Sequence, residues 1–203
     1  MTTTPYHHRS RPELSELILS EAQRHMGEVG FARFSSREVA KRIGYSVGTI
    51  YNVFPNLDAL IVAVNTRTFE VWHRHVRSVL DADPADRIAA MVSAYFDFAS
   101  TNPELWHALY AHRLAPGSSL SAEDQEIRGR LTSLIADEVS SVLPGLARDE
   151  VIGLTRSLIA VVHGHCSFQI GGSYALMGCA DARPDALARV REILRSKGAS
   201  LDA

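Results

Sequence analysis

Three sets of residues in this 203-residue chain could do chemistry. Gly44-Tyr45-Ser46-Val47-Gly48 spells Gly-x-Ser-x-Gly, the nucleophile elbow of serine hydrolases. The chain has nine histidines and two cysteines, and His163 with Cys166 three residues on could share a metal. Arg33, Arg37, Lys41 and Arg42, against the single acid Glu38 between residues 33 and 52, could meet phosphates. The surrounding elements decide among the three. An elbow needs a strand before its Ser and a helix after it. Here residues 36–43 read as an amphipathic helix, and nowhere does strict apolar–polar alternation run beyond about four residues. His163 and His165 are two apart and do not share a helix face, and a two-ligand set falls below the three or four that zinc takes. No catalytic residue, metal or cofactor is therefore expected, and an enzyme built on the His/Cys set is the most distant reading. The phosphate reading is the one that fits its surroundings.

Residues 35–61 carry it. Ser35 or Ser36 caps a short helix, with Glu38 near the capping-box position and Val39, Ala40 and Ile43 on its buried side. Gly44 takes the turn, and Ser46 caps a second short helix over residues 47–53. This is the layout of a helix-turn-helix, which sets its second helix in the DNA major groove. A longer helix precedes it: Pro12 suits a first turn, Leu14, Ile18, Ala22, Met26 and Val29 form one stripe, and Gly30 ends it. The leading arm holds His7, His8, Arg9 and Arg11 with no acid. With a net charge of −2 overall, a basic end on a slightly acidic body fits DNA binding by that end.

The remaining elements are also helical, so an all-α protein of about nine helices is expected. Pro55 breaks the chain, and a helix over residues 57–80 would be about 36 Å long at 1.5 Å per residue. Asp83-Pro84 and Asn102-Pro103 start the next two helices, and Ser121 with Asp124 opens another. Residues 148–170 are apolar on nearly all sides in their second half, which predicts a buried helix, and Pro184 starts the last one. Three parts follow: a flexible basic arm over 1–11, a helix-turn-helix domain over 12–56, and a C-terminal helical domain over 57–203. No N-terminal apolar run reads as a signal peptide, no stretch of about 18 apolar residues reads as a membrane span, and the cysteines form no Cys-x-x-Cys. A reduced, cytoplasmic home is the expectation.

Residues 14–62 resemble the DNA-binding end of the TetR/AcrR transcriptional regulators. Ser35, Val39, Ala40, Gly44, Tyr45, Ser46, Gly48, Ile50, Tyr51, Phe54 and Leu60 fill the places of that family's pattern. The resemblance implies phosphate contacts from Ser35, Ser36 and Arg37, at a helix N-terminus suited to anions. It implies contacts from Thr49 and Tyr51, a cap and phosphate contact at Ser46, and base edges within reach of Val47, Gly48 and Asn52. Asn52 could pair bidentately with adenine or stand as a solvated helix residue. One departure stands out. Leu57 occupies the place where many members have a phosphate-binding Lys, and Arg9 and Arg11 are candidates to replace that grip.

The resemblance also implies a small-molecule chamber in the C-terminal part and a homodimer through the last two long helices. Tyr95, Phe98, Trp106, Tyr110, His112, Arg113, His163, Cys166 and Gln169 are the candidate chamber residues, with aromatic core as their other reading. Gly153 and Gly164 would allow close approach of a partner, with completion of the monomer core as the alternative. The expected function is a ligand-responsive DNA-binding regulator: a repressor released from a near-palindromic operator. An activator, or a regulator answering to a protein, is the alternative.

Overall fold

The computed structural model describes residues 9–114 and 116–201, and every regular element among them is helical. The helices are α1 (Arg11–Val29), α2 (Ser36–Ile43), α3 (Val47–Val53), α4 (Leu57–Asp81), α5 (Arg87–Thr101), α6 (Pro103–Ala111), α7 (Ala122–Val142), α8 (Arg148–Ile170), α9 (Ser173–Leu176) and α10 (Arg183–Ser196). A short 3-10 turn, Phe31–Arg33, follows α1. His7 and His8 of the basic arm lie outside the described residues. The described residues form two compact units, those up to 68 with those of 104–120, and those of 69–103 with those from 121 on.

In the first unit α1 starts where Ser10 donates from its backbone N–H and its hydroxyl to Glu13 Oε2, at 2.8 and 2.7 Å. It stops at Gly30, whose φ of 76° and ψ of 170° form a conformation essentially reserved for glycine. The core joins Ile18, Ala22 and Met26 of α1 to Val39, Ile50, Leu60 and Val64. Ala108 of α6 belongs to the same core, and Asn65 Nδ2 donates to its carbonyl at 3.4 Å. The expected boundary at residue 57 therefore lies inside this unit.

In the second unit Trp72, Phe96, Val139, Val151 and Leu194 are fully enclosed. The helix expected to start at Asp83-Pro84 starts instead at Arg87. Asp86 is its cap, accepting from the Ala89 N–H at 2.8 Å, while Asp83 takes a positive φ of 51°. Ser121 caps α7 by accepting from the Asp124 N–H at 3.0 Å. The four-residue α9 lies in a stretch that sequence periodicity left without an element.

The expectation of an α8 buried on all sides is corrected. Val151, Thr155, Leu158, Val162 and Cys166 are buried, which is one stripe at helical spacing. Ala160 and Gly164 are exposed, and Phe168 is 52% exposed. Apolar composition records what a helix can bury, whereas burial needs a neighbour, and this chain supplies one to a single side of α8. By length and composition α8 also passes as a membrane span, against the expectation of none; in the fold it packs on α5, α7 and α10.

Candidate nucleic-acid interface and ligand site

The α2–α3 segment is built from short-range contacts. α2 begins after Ser35, held extended at φ −142°. It ends at Gly44 in the left-handed region, φ 75° and ψ 27°, where the Tyr45 N–H reaches the Ala40 carbonyl at 2.9 Å. Ser46 Oγ accepts from the Thr49 N–H at 3.1 Å and pairs with Thr49 Oγ1 at 3.0 Å. The serine at the centre of the elbow-like motif is thus a helix cap, with a helix rather than a strand before it. Ile50 is fully buried and anchors α3, while Gly48, Tyr51 and Asn52 are exposed and Val47 is half-buried. Arg37 is exposed in the first turn of α2.

Two expectations about this surface change. Ser36 is buried, and its hydroxyl bonds to the Tyr51 hydroxyl at 2.9 Å. Its buried side chain braces Tyr51, and its backbone N–H at the helix N-terminus remains for an anion. The cation count of the segment also overstates its free charge. Arg42 contacts Glu28 at 2.7 Å, Glu21 at 3.4 Å and Glu38 at 3.5 Å. The Arg42 bond in turn holds the Glu28 carboxyl below the usual range. Lys41 lies 3.8 Å from Glu38, whereas Arg33 Nε donates to the neutral Val29 carbonyl at 3.0 Å and keeps its charge. Arg9 donates to the Tyr45 hydroxyl at 3.1 Å. Leu57 is 37% exposed at the first position of α4, after Asn56, whose Oδ1 accepts from the Ala59 N–H at 2.8 Å.

The nine candidate chamber residues divide between the units. Trp106, Tyr110, His112 and Arg113 belong to the first, and Tyr95, Phe98, His163, Cys166 and Gln169 to the second. His112 Nε2 lies 2.6 Å from Asp58 Oδ1 and so joins the end of α6 to the start of α4. Trp106 and Tyr110 pack edge to face at 5.4 Å, and Arg113 is exposed. In the second unit the Tyr95 hydroxyl bonds to His163 Nδ1 at 2.9 Å. Phe98 stacks on Trp72 at 4.8 Å with an interplanar angle of 4°. Cys166 is fully buried, and burial pushes its thiol up to about 12, which leaves it neutral and unreactive. Gln169 Oε1 accepts from the Ala182 N–H at 2.7 Å, so it braces the start of α10. Among the described residues no three His, Cys, Asp or Glu groups come together as a metal site.

The second unit holds an apolar cavity of ≈ 50 Å³ between α5, α7, α8 and α10. Ile88, Met91, Val92, Tyr95, Ile135, Val139, Leu158, Ile159, Val162, Val190 and Leu194 line it. Of the expected chamber residues only Tyr95 reaches it. The aliphatic lining went unnoticed because its helical stripes look the same as core stripes in a sequence. A second, open hollow of ≈ 430 Å³ lies on the exposed side of α8 and α10, lined by Ala160, Val161, Gly164, His165, Phe168, Tyr174, Arg189, Glu192 and Ile193.

Residues 18–64 match the family model described as bacterial regulatory proteins, tetR family. Residues 88–191 match the model described as Tetracyclin repressor-like, C-terminal domain. No curated protein matches the chain. Several solved structures share its fold at low identity. One is a protein with unknown function from Rhodococcus sp. RHA1, 22% identical over 96% of this chain and 98% of that one, with a TM-score of 0.74. A TetR transcription regulator from Haloarcula marismortui ATCC 43049 is 19% identical over 91% of this chain and 98% of that one, with a TM-score of 0.61. The multidrug binding protein EbrR, complexed with imidazole, is 21% identical over 95% of this chain and 98% of that one, with a TM-score of 0.59. The helix-turn-helix geometry and the two family matches coincide, and the chain belongs to the TetR family of transcriptional regulators.

Proposed function

We propose that this TetR-family protein is a homodimeric, ligand-responsive repressor that acts in the cytoplasm. The observation that carries the reading is the anchored but open α3: Ile50 holds it from below, Ser46 caps it, and Gly48, Tyr51 and Asn52 stand exposed. Val47, Gly48 and Asn52 would meet base edges, while Ser35, Arg37, Ser46, Thr49, Tyr51 and the Ser36 N–H would hold phosphates. A dimer would set two copies of α3 about 34 Å apart on a near-palindromic operator. The exposed apolar side of α8, with Phe168 and Ile170, supports a mate docked on α8 and α10. A small molecule in the second unit would release the operator, and a coupling of about 1–3 kcal/mol is enough for a useful switch. Gel-shift with the DNA upstream of the protein's own gene tests the reading. A salt-sensitive complex is expected, and its absence there and on any selected DNA would overturn it.

One observation favours a second reading. The ≈ 50 Å³ cavity is far below the roughly 300–1,000 Å³ of ordinary ligand sites. A regulator that answers to a protein would need no larger space. Native mass spectrometry of the purified protein separates the two: a retained small molecule supports the first, and a bound protein partner that releases DNA supports the second.

A further inference from the structure

The walls of the second unit's cavity restrict what could occupy it. Ten of its eleven lining side chains are aliphatic or Met, and the other is Tyr95. Arg87 pairs with Glu138, Arg183 with Asp97 and Arg191 with Asp86, Arg128 stands over the Phe69 ring at 5.7 Å, and none of these four lines the cavity. His163, bonded to the Tyr95 hydroxyl, has its pKa pushed down by burial and so presents a neutral ring. A charged guest would lose its hydration and find no opposite charge, which makes its burial strongly unfavourable.

The same region holds polar atoms that have not found partners. Trp72 is 2% exposed, and its indole N–H has no acceptor among the described residues. His75 Nε2, one turn further along α4, is in the same state. An indole nitrogen can only donate, and a buried donor without an acceptor is both rare and costly. Trp72 is stacked on Phe98 at 4.8 Å and meets Tyr95 edge to face at 4.8 Å. Tyr95 therefore touches both the cavity and the unsatisfied indole. Met91, one turn before Tyr95 on α5, also lines the cavity, and its flexible side chain lets the space grow.

We propose that the effector is an uncharged, mainly apolar molecule carrying a hydrogen-bond acceptor, bound between α5, α7, α8 and α10 with its acceptor directed past Tyr95 to Trp72. The proposal rests on the ligand-responsive reading above and names the class of ligand for that chamber. Three one-ring probes separate its parts: acetophenone is neutral with an acceptor, ethylbenzene is neutral without one, and benzoate is charged.

The test titrates each probe into the full-length protein and follows the indole N–H signals of its two tryptophans by NMR, with Trp106→Phe assigning them. Acetophenone should bind and move the Trp72 signal. Ethylbenzene should bind about three- to ten-fold more weakly without that shift, the range expected for one hydrogen bond. Benzoate should bind more weakly still, by at least about tenfold relative to acetophenone. Trp72→Phe should remove the preference for acetophenone over ethylbenzene. Val162→Phe and, separately, Ile135→Phe should abolish binding by filling the cavity, with an unchanged gel-shift showing that each variant is folded. Benzoate binding as tightly as acetophenone, an unmoved Trp72 signal, or binding that survives both fillings would overturn the proposal. A DNA complex without acetophenone binding defeats this inference alone. Acetophenone binding without any DNA complex defeats the repressor reading and leaves the ligand class standing.

Discussion

The α2–α3 segment and the chamber of the second unit are held by partners drawn from very different distances along the chain. In the first, Ser46 and Thr49 are three residues apart, Arg42 and Glu28 fourteen, and Ser36 and Tyr51 fifteen. In the second, Arg87 and Glu138 are 51 residues apart, Tyr95 and His163 68, and Asp86 and Arg191 105. Closing a longer loop costs more chain entropy, so long-range pairs form only with the unit that contains them. A recognition surface built locally keeps its shape while bases vary beneath it. A chamber built from distant helices can change shape when any one of them moves, which suits an effector site.

The strongest way to break this comparison is at two glycines. Gly30→Ala should cost about 2–3 kcal/mol in urea denaturation, because its backbone conformation is nearly closed to other residues. A Cβ there would also stand 2.2 Å from Glu104 Oε2, a distant partner in sequence. Gly44→Ala, with φ of +75° and nothing within 4 Å of its added Cβ, should cost only about 1–2 kcal/mol. Equal costs would mean that the turn is not governed locally.

Next in size, Asn52→Ala should weaken operator binding by about tenfold and leave thermal stability unchanged, if the side chain reads a base. Arg87→Ala should cost about 1 kcal/mol of stability, because Arg87 is 39% exposed and its charge is partly screened. That loss should leave intrinsic DNA affinity unaltered, which gel-shift at saturating folded protein can check. Ser46→Ala should show the reverse pattern, with about 1 kcal/mol of helix capping lost and DNA affinity reduced with it. Leu57→Lys should strengthen DNA binding and steepen its salt dependence by about one unit on a log–log plot. Deleting residues 1–11 should lower the slope if Arg9 and Arg11 supply the missing cation.

The smallest expected effect is on pH dependence. Burial, first among the causes, pushes the imidazoles of His25, His73 and His163 below 6.5 in the folded chain. Below about 6.5 the unfolded chain binds more protons than the folded one. The stability from these groups is therefore complete above that pH and is lost as pH falls through the lowered values. Urea midpoints should decline from pH 7.5 to 5.5, and less steeply for His163→Phe. A rise toward acid would mean that these rings gain charge partners on folding.

Much of the recognition unit was legible in the residue order. Pro12, Gly30, Gly44, the Ser46 cap and the core stripe through Ile18, Ala22 and Met26 all act within a few residues of themselves. Misreadings there came from side chains with two possible partners. Ser36 looked like a phosphate ligand and is occupied by Tyr51, and Arg42 looked like a DNA cation and is held by Glu28. In the second unit the helices were legible and their contents were not. Gln169, one of the chamber candidates, braces α10, and four of the nine candidates belong to the other unit.

By itself the sequence determined which long segments are helical, where most of them begin and end, and that residues 35–54 form a helix-turn-helix, while the four-residue α9 stayed hidden. Periodicity, caps and left-handed glycines are local physics, decided within one or two turns. Only the tertiary structure decided which face of α8 is buried, that aliphatic residues rather than His and Gln line the cavity, and that the Trp72 indole N–H is enclosed without an acceptor among the described residues. Those facts depend on which distant helix arrives alongside, and an apolar stripe says that something must cover it without saying what.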